Sequence, residues 1–113
     1  GGQEEENMKL MMVIVQDQDY AKLATRLIQN RIRATKFETS GLYSNKKNVT
    51  LFICVEEEQQ ERILTYIQES CTERKEICEV WEYNGNMMVQ AEKTLKIGGA
   101  TVFISEVNQI MKF

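Results

Sequence analysis

The sequence predicts an α+β sandwich in which a strand–helix–strand unit occurs twice, in the order βαββαβ, with an extra hairpin toward the C-terminal end. Three observations predict it. Apolar residues recur at helical spacing in two segments: Tyr20, Leu23, Leu27 and Ile28 in the first, Ile63, Leu64, Ile67 and Cys71 in the second. Each segment is flanked by short stretches with the apolar content or the alternation of strands. A tight-turn pair, Asn84-Gly85, separates two further strand-like stretches.

The elements follow in order. Lys9–Val15 is a continuous apolar run, as expected of a buried strand. Asp17, within the polar stretch Gln16-Asp17-Gln18-Asp19, suits a helix N-cap, and a helix is expected over about 18–30. Ile32–Thr39 reads as a strand. Ser40–Lys47 is rich in turn formers and charge and reads as a loop. Asn48–Val55 alternates Val49, Leu51, Ile53 and Val55 with Thr50, Phe52 and Cys54, the clearest strand in the chain. Glu56, Glu57 and Glu58 open the second helix, where acids meet the positive end of its dipole. Ile77–Tyr83 and Met87–Ile97 form a hairpin, Gly98-Gly99 breaks the chain, and Thr101–Ile104 is a last strand before a short turn or helix. Residues 8–83 thus spell the ferredoxin-like double βαβ arrangement. With both helices on one face, the other face, expected to carry Val13, Phe52 and Val80, needs cover, and self-association supplies it.

Composition narrows the function. The chain has 113 residues, 42% hydrophobic and 27% charged, the balance of one globular domain. Residues 1–7 are polar and aperiodic and read as a leader outside the domain at 8–113. Removing Glu4, Glu5 and Glu6 from the 17 acids leaves 14, equal to the 14 Lys and Arg. A near-neutral domain argues against nucleic-acid binding. No apolar run is long enough to span a membrane. Cys54, Cys71 and Cys78 form no CxxC pair, which suits a reducing cytoplasm. Histidine is absent, so the usual general base and the usual metal ligand are both missing. Catalysis is not expected.

One stretch suggests a ligand. Strand periodicity puts Arg31, Arg33 and Thr35 on one face, and the loop that follows adds Tyr43, Lys46 and Lys47. Guanidinium and hydroxyl donors suit phosphate oxygens, and an aromatic can stack on a base. The competing reading is an edge strand whose charges discourage pairing. Gly98-Gly99-Ala100-Thr101 allows close backbone approach and exposes amides, but it is neither a P-loop nor GxGxxG. Asp17 and Asp19 read as capping residues rather than acid/base catalysts. Met11, Met12, Met87, Met88 and Met111 suit either packing or an adaptable surface. Cys54, on a strand expected to be buried, reads as an inert thiol.

Met8-Lys9-Leu10, Ile14–Asp19, Arg33-Ala34-Thr35-Lys36 and Gly98–Phe103 occur in the order found in the PII-like cyclic-di-AMP receptor family, which the chain resembles over 8–113. The resemblance implies a homotrimer of ferredoxin-like subunits that binds cyclic-di-AMP, a bacterial second messenger, in clefts between subunits. It also implies no catalysis, metal or covalent cofactor, and a signal passed on to a protein target through loops. By the same resemblance Arg33, Ala34 and Thr35 touch the nucleotide, Tyr43 meets an adenine, Asn48 closes the loop and Phe103 lies near the base. Departures are Leu42 for a loop glycine, Ser44 for an apolar contact, Arg31 for asparagine, Cys54 for a strand glycine and Lys112 for a C-terminal glutamine. The hairpin at Asn84-Gly85-Asn86 is also shorter than the family's loop there. Arg31 and Lys112 add positive charge, favouring an anion and leaving open a different nucleotide. A ligand-free trimeric adaptor acting through its loops is the alternative of another class.

Overall fold

The computed structural model describes residues 7–40 and 47–113. The elements are β1 (Met8–Gln16), α1 (Asp17–Gln29), β2 (Thr35–Ser40), β3 (Lys47–Glu56), α2 (Glu57–Cys71), β4 (Arg74–Asn84), β5 (Met87–Ile97) and β6 (Ala100–Glu106). Four strands form one antiparallel sheet in the order β2-β3-β1-β6, and β4 and β5 pair as a separate ribbon. This is the ferredoxin-like arrangement, with one reassignment. The fourth strand of the sheet is β6, not the Ile77–Tyr83 strand, and the β4–β5 hairpin is inserted between α2 and β6. Beside the central apolar strand β1, Ala100–Glu106 brings Val102 against Val13, whereas β4 carries Arg74, Lys75, Glu76, Glu79 and Glu82.

Both helices cover one face. Met11, Val13 and Val15 of β1 and Val49, Leu51, Ile53 and Val55 of β3 are buried there against Leu23 and Leu27 of α1 and Ile63, Ile67 and Cys71 of α2. Each such side chain contributes about 1.5–3 kcal/mol through burial. Val13 therefore belongs to the helix side and not to the uncovered face, because its parity matches Met11 and Val15. Val80 is in the ribbon, opposite Ala91. Ile28, expected on the apolar stripe of α1, is 74% exposed, since Leu27 already occupies the inward position.

Local chemistry moves two expected boundaries. The helix N-cap position is Gln16, without a side-chain capping bond, so Asp17 is the first helical residue rather than the cap. At the other end of α1, Arg31 N–H donates to the Ile28 carbonyl at 3.0 Å and Ile32 N–H to the Leu27 carbonyl at 2.9 Å. That pair of bonds is a Schellman motif, with Arg31 in the left-handed region at φ 57° and Ile32 buried as its apolar plug. Arg31–Ala34 are consequently not strand, and β2 begins at Thr35. The tight turn of the hairpin centres on Gly85-Asn86, with Gly85 at φ 68°, the glycine-first order of a type II′ turn. After β6, residues 107–113 carry no helix.

Candidate functional site

The strand register defines the face that the helices leave open. Directly paired residues of antiparallel strands share a face. One row across the sheet is Thr35, Phe52, Met12 and Phe103, and the next is Phe37, Thr50, Ile14 and Thr101. Phe37 and Phe52 meet edge to face, 5.0 Å between centroids, while Thr39 and Thr50 hydroxyls bond at 3.0 Å. Phe37, Phe52 and Phe103 remain 44%, 40% and 53% exposed. Cys54, opposite Leu10, is exposed on this same face, so the expectation of a buried thiol fails: its parity follows Phe52, not Ile53.

The expected ligand residues occupy several places on this frame. Arg31 is in the α1 cap; Arg33 and Ala34 are exposed in the connection that follows; Thr35 starts β2 at one edge of the sheet. The common strand face proposed for Arg31, Arg33 and Thr35 is therefore absent, because the chain is still turning out of α1. Phe103 lies in the same row as Thr35 but on β6, the opposite edge, about 14 Å away across three strand spacings. Asn48 stands on β3 opposite Gln16 and Thr39, at the other end of β2 from Thr35. Lys112 is exposed in the C-terminal segment. Tyr43, with Leu42, Ser44 and Lys46, lies outside the described residues.

The structure does bring Asn48 together with the glycine-rich segment. A cleft of about 290 Å³ is lined by Gln16, Asn48, Glu73, Thr101 and the Gly98–Ala100 backbone. Thr101 is two residues before Phe103 on the same face of β6. The glycine amides, however, are not offered to a ligand. Gly98 N–H donates to Gln16 Oε1 at 2.8 Å and Gly99 N–H to the Cys71 carbonyl. Gly98 sits at φ 78°, and a β-carbon there would collide with the Arg74 guanidinium and lie 3.0 Å from the Thr72 carbonyl. Its glycine is required by close packing at the root of the hairpin.

That root is built on an ion pair. Arg74 grips the buried carboxylate of Asp19 with both terminal nitrogens, at 2.9 and 3.3 Å, and reaches the Thr72 carbonyl at 3.3 Å. Asp19 is thus an anchor rather than a cap. The hydrogen bond to Asp19 raises the Arg74 pKa further above its ordinary value. Beneath it, burial, together with the Asp19 charge, pushes the Cys71 thiol up to about 11. Sequence reasoning missed Gln16 and Glu73 as cleft residues. Gln16 was within reach, since it continues the Met12, Ile14 parity onto the open face.

Against this geometry, the model of the cyclic-di-AMP receptor family matches residues 8–113. The chain belongs to the cyclic-di-AMP receptor family. A solved structure of a functionally unknown protein from Pediococcus pentosaceus is similar at 30% identity, covering 96% of this chain and 99% of that one, with a TM-score of 0.76. The PII protein of Arabidopsis thaliana, solved bound to citrate, is similar in fold at 17% identity, covering 95% of this chain and 81% of that one, with a TM-score of 0.64. This receptor-family chain is therefore PII-like in fold. Among its described residues no helix is long and apolar enough to cross a membrane.

Proposed function

We propose that this protein is a cytoplasmic, non-enzymatic PII-like sensor that binds cyclic-di-AMP in the clefts between the subunits of a homotrimer. The family match over 8–113 carries the reading. Two features of the subunit support it. The open face carries Leu10, Met12, Ile14, Phe37, Phe52 and Phe103 among its threonines, and burying these side chains against further copies removes apolar surface from water. Thr35 and Phe103 lie at opposite edges, so joining the β2 edge of one copy to the β6 edge of the next would assemble them into one site. Arg33 and Thr35 would supply donors to phosphate oxygens, and Phe103 with Tyr43 would supply stacking surface. Arg31 and Lys112 would add positive charge, and Asn48 an amide.

Calorimetric titration with cyclic-di-AMP tests the proposal, alongside a thermal-shift panel of mono- and dinucleotides and light scattering for the oligomer. Expected are saturable heat, a stabilisation of about 2.7 kcal/mol at a hundredfold excess over the Kd, trimeric mass, and weaker binding by Arg33→Ala. No heat and no shift at saturating cyclic-di-AMP sinks the proposal. A second reading, a sensor for another nucleotide, is favoured by Cys54, whose side chain stands exposed on the open face where the resembled family has a glycine. A larger shift with a different member of the panel would decide for it.

A further inference from the structure

Gln16 occupies a joint in this molecule. It ends β1 and stands at the N-cap position of α1, faces Asn48 across the β1–β3 ladder, and lines the cleft with Asn48 and Thr101. It also lines a second cleft of about 330 Å³ on its other side, against Leu95 and Ile97 of the hairpin and Lys47 at the start of β3. Donor logic orients its amide. Gly98 N–H at 2.8 Å and Gln18 Nε2 at 3.2 Å both approach the Oε1 atom, and only an oxygen accepts them. The Nε2 group then remains as a donor on the same plane, on a residue paired with Asn48 across the ladder and lining the same cleft.

We infer that Gln16 is a positioning and recognition residue of the ligand cleft: its oxygen holds the Gly98 amide, which fixes the hairpin root and the start of β6, and its nitrogen donates to an acceptor on the nucleotide. The inference rests on the cyclic-di-AMP reading and adds a residue to it. The two halves of the amide separate in experiment. Gln16→Glu keeps an acceptor for Gly98 but replaces the donor with negative charge; Gln16→Leu removes both.

The test is titration of the purified oligomer with cyclic-di-AMP, combined with hydrogen exchange at the Gly98 amide. In Gln16→Glu the Gly98 amide stays protected while affinity falls about tenfold or more, the size of one lost hydrogen bond. In Gln16→Leu the affinity falls and Gly98 exchange accelerates. A merely structural role leaves only charge repulsion in Gln16→Glu, which salt screens, so affinity restored to the wild-type value in about 1 M salt overturns the inference. Wild-type Gly98 exchange in Gln16→Leu overturns it as well. If the unaltered protein gives no heat with cyclic-di-AMP, the ligand reading falls and takes this inference with it. If the unaltered protein binds and Gln16→Glu binds equally well, this inference alone falls.

Discussion

Arg31 holds a backbone conformation that its β-carbon resists. At φ 57° a side chain costs roughly 1–2 kcal/mol, which the two Schellman bonds and the buried Ile32 offset. Arg31→Gly should raise stability by about 1 kcal/mol in urea denaturation without ligand, and no gain would mean the strain is not there. The resembled family's asparagine at this position also tolerates the left-handed region, so one departure from the pattern has a backbone cost as well as a charge. Cys71 is the residue-scale probe of pH. Its folded pKa of about 11 exceeds the ordinary 9.0, so the folded protein keeps a proton that the unfolded chain loses. Stability from this thiol is full below pH 9 and declines between pH 9 and 11. Urea midpoints over that range should fall more steeply for the wild type than for Cys71→Ala; equal slopes would remove the claim.

At the scale of elements, local pattern and distant pairing divide the molecule. The helices and β3 were legible because alternation and helical spacing are written in neighbouring residues, as in Val49, Leu51, Ile53 and Val55. The β4–β5 pairing was legible from its turn. The place of β6 was not, since Val102 meets Val13 only through a register between ends of the chain. The site divides the same way. Asn48, Phe103 and the Gly98-Gly99 segment were picked out by ordered motifs, but that Gln16 consumes the Gly98 amide depends on three elements converging. Because the ribbon lies outside the four-stranded sheet, replacing Glu76–Leu95 with an Asn-Gly turn between Lys75 and Lys96 should leave the fold standing. Circular dichroism should retain both helices and the urea transition should stay cooperative. Loss of the transition would show that the ribbon holds the sheet together.

For the whole molecule, the uncovered face and the ribbon dominate. The subunit is elongated, 68 × 25 × 19 Å, as expected where an 11-residue strand pair projects from a small body. If three copies bury the open face, Phe52→Glu places a charge within it and should give monomers by light scattering. Cys54 should then react with maleimide several-fold faster than in the wild type, and an unchanged mass and rate would place the contact elsewhere. The insertion of β4–β5 also bears on how the chain finds its structure. The sheet is completed only when β6 reaches β1, and residues 72–99 separate it from α2. A zipped ribbon brings Ile97 beside Arg74 and shortens that span to about six effective residues, a saving in loop-closure entropy of about 1.4 kcal/mol. Gly85→Val, at the far tip, should therefore slow refolding in stopped-flow mixing. The turn sets the pace at which a strand it never touches arrives.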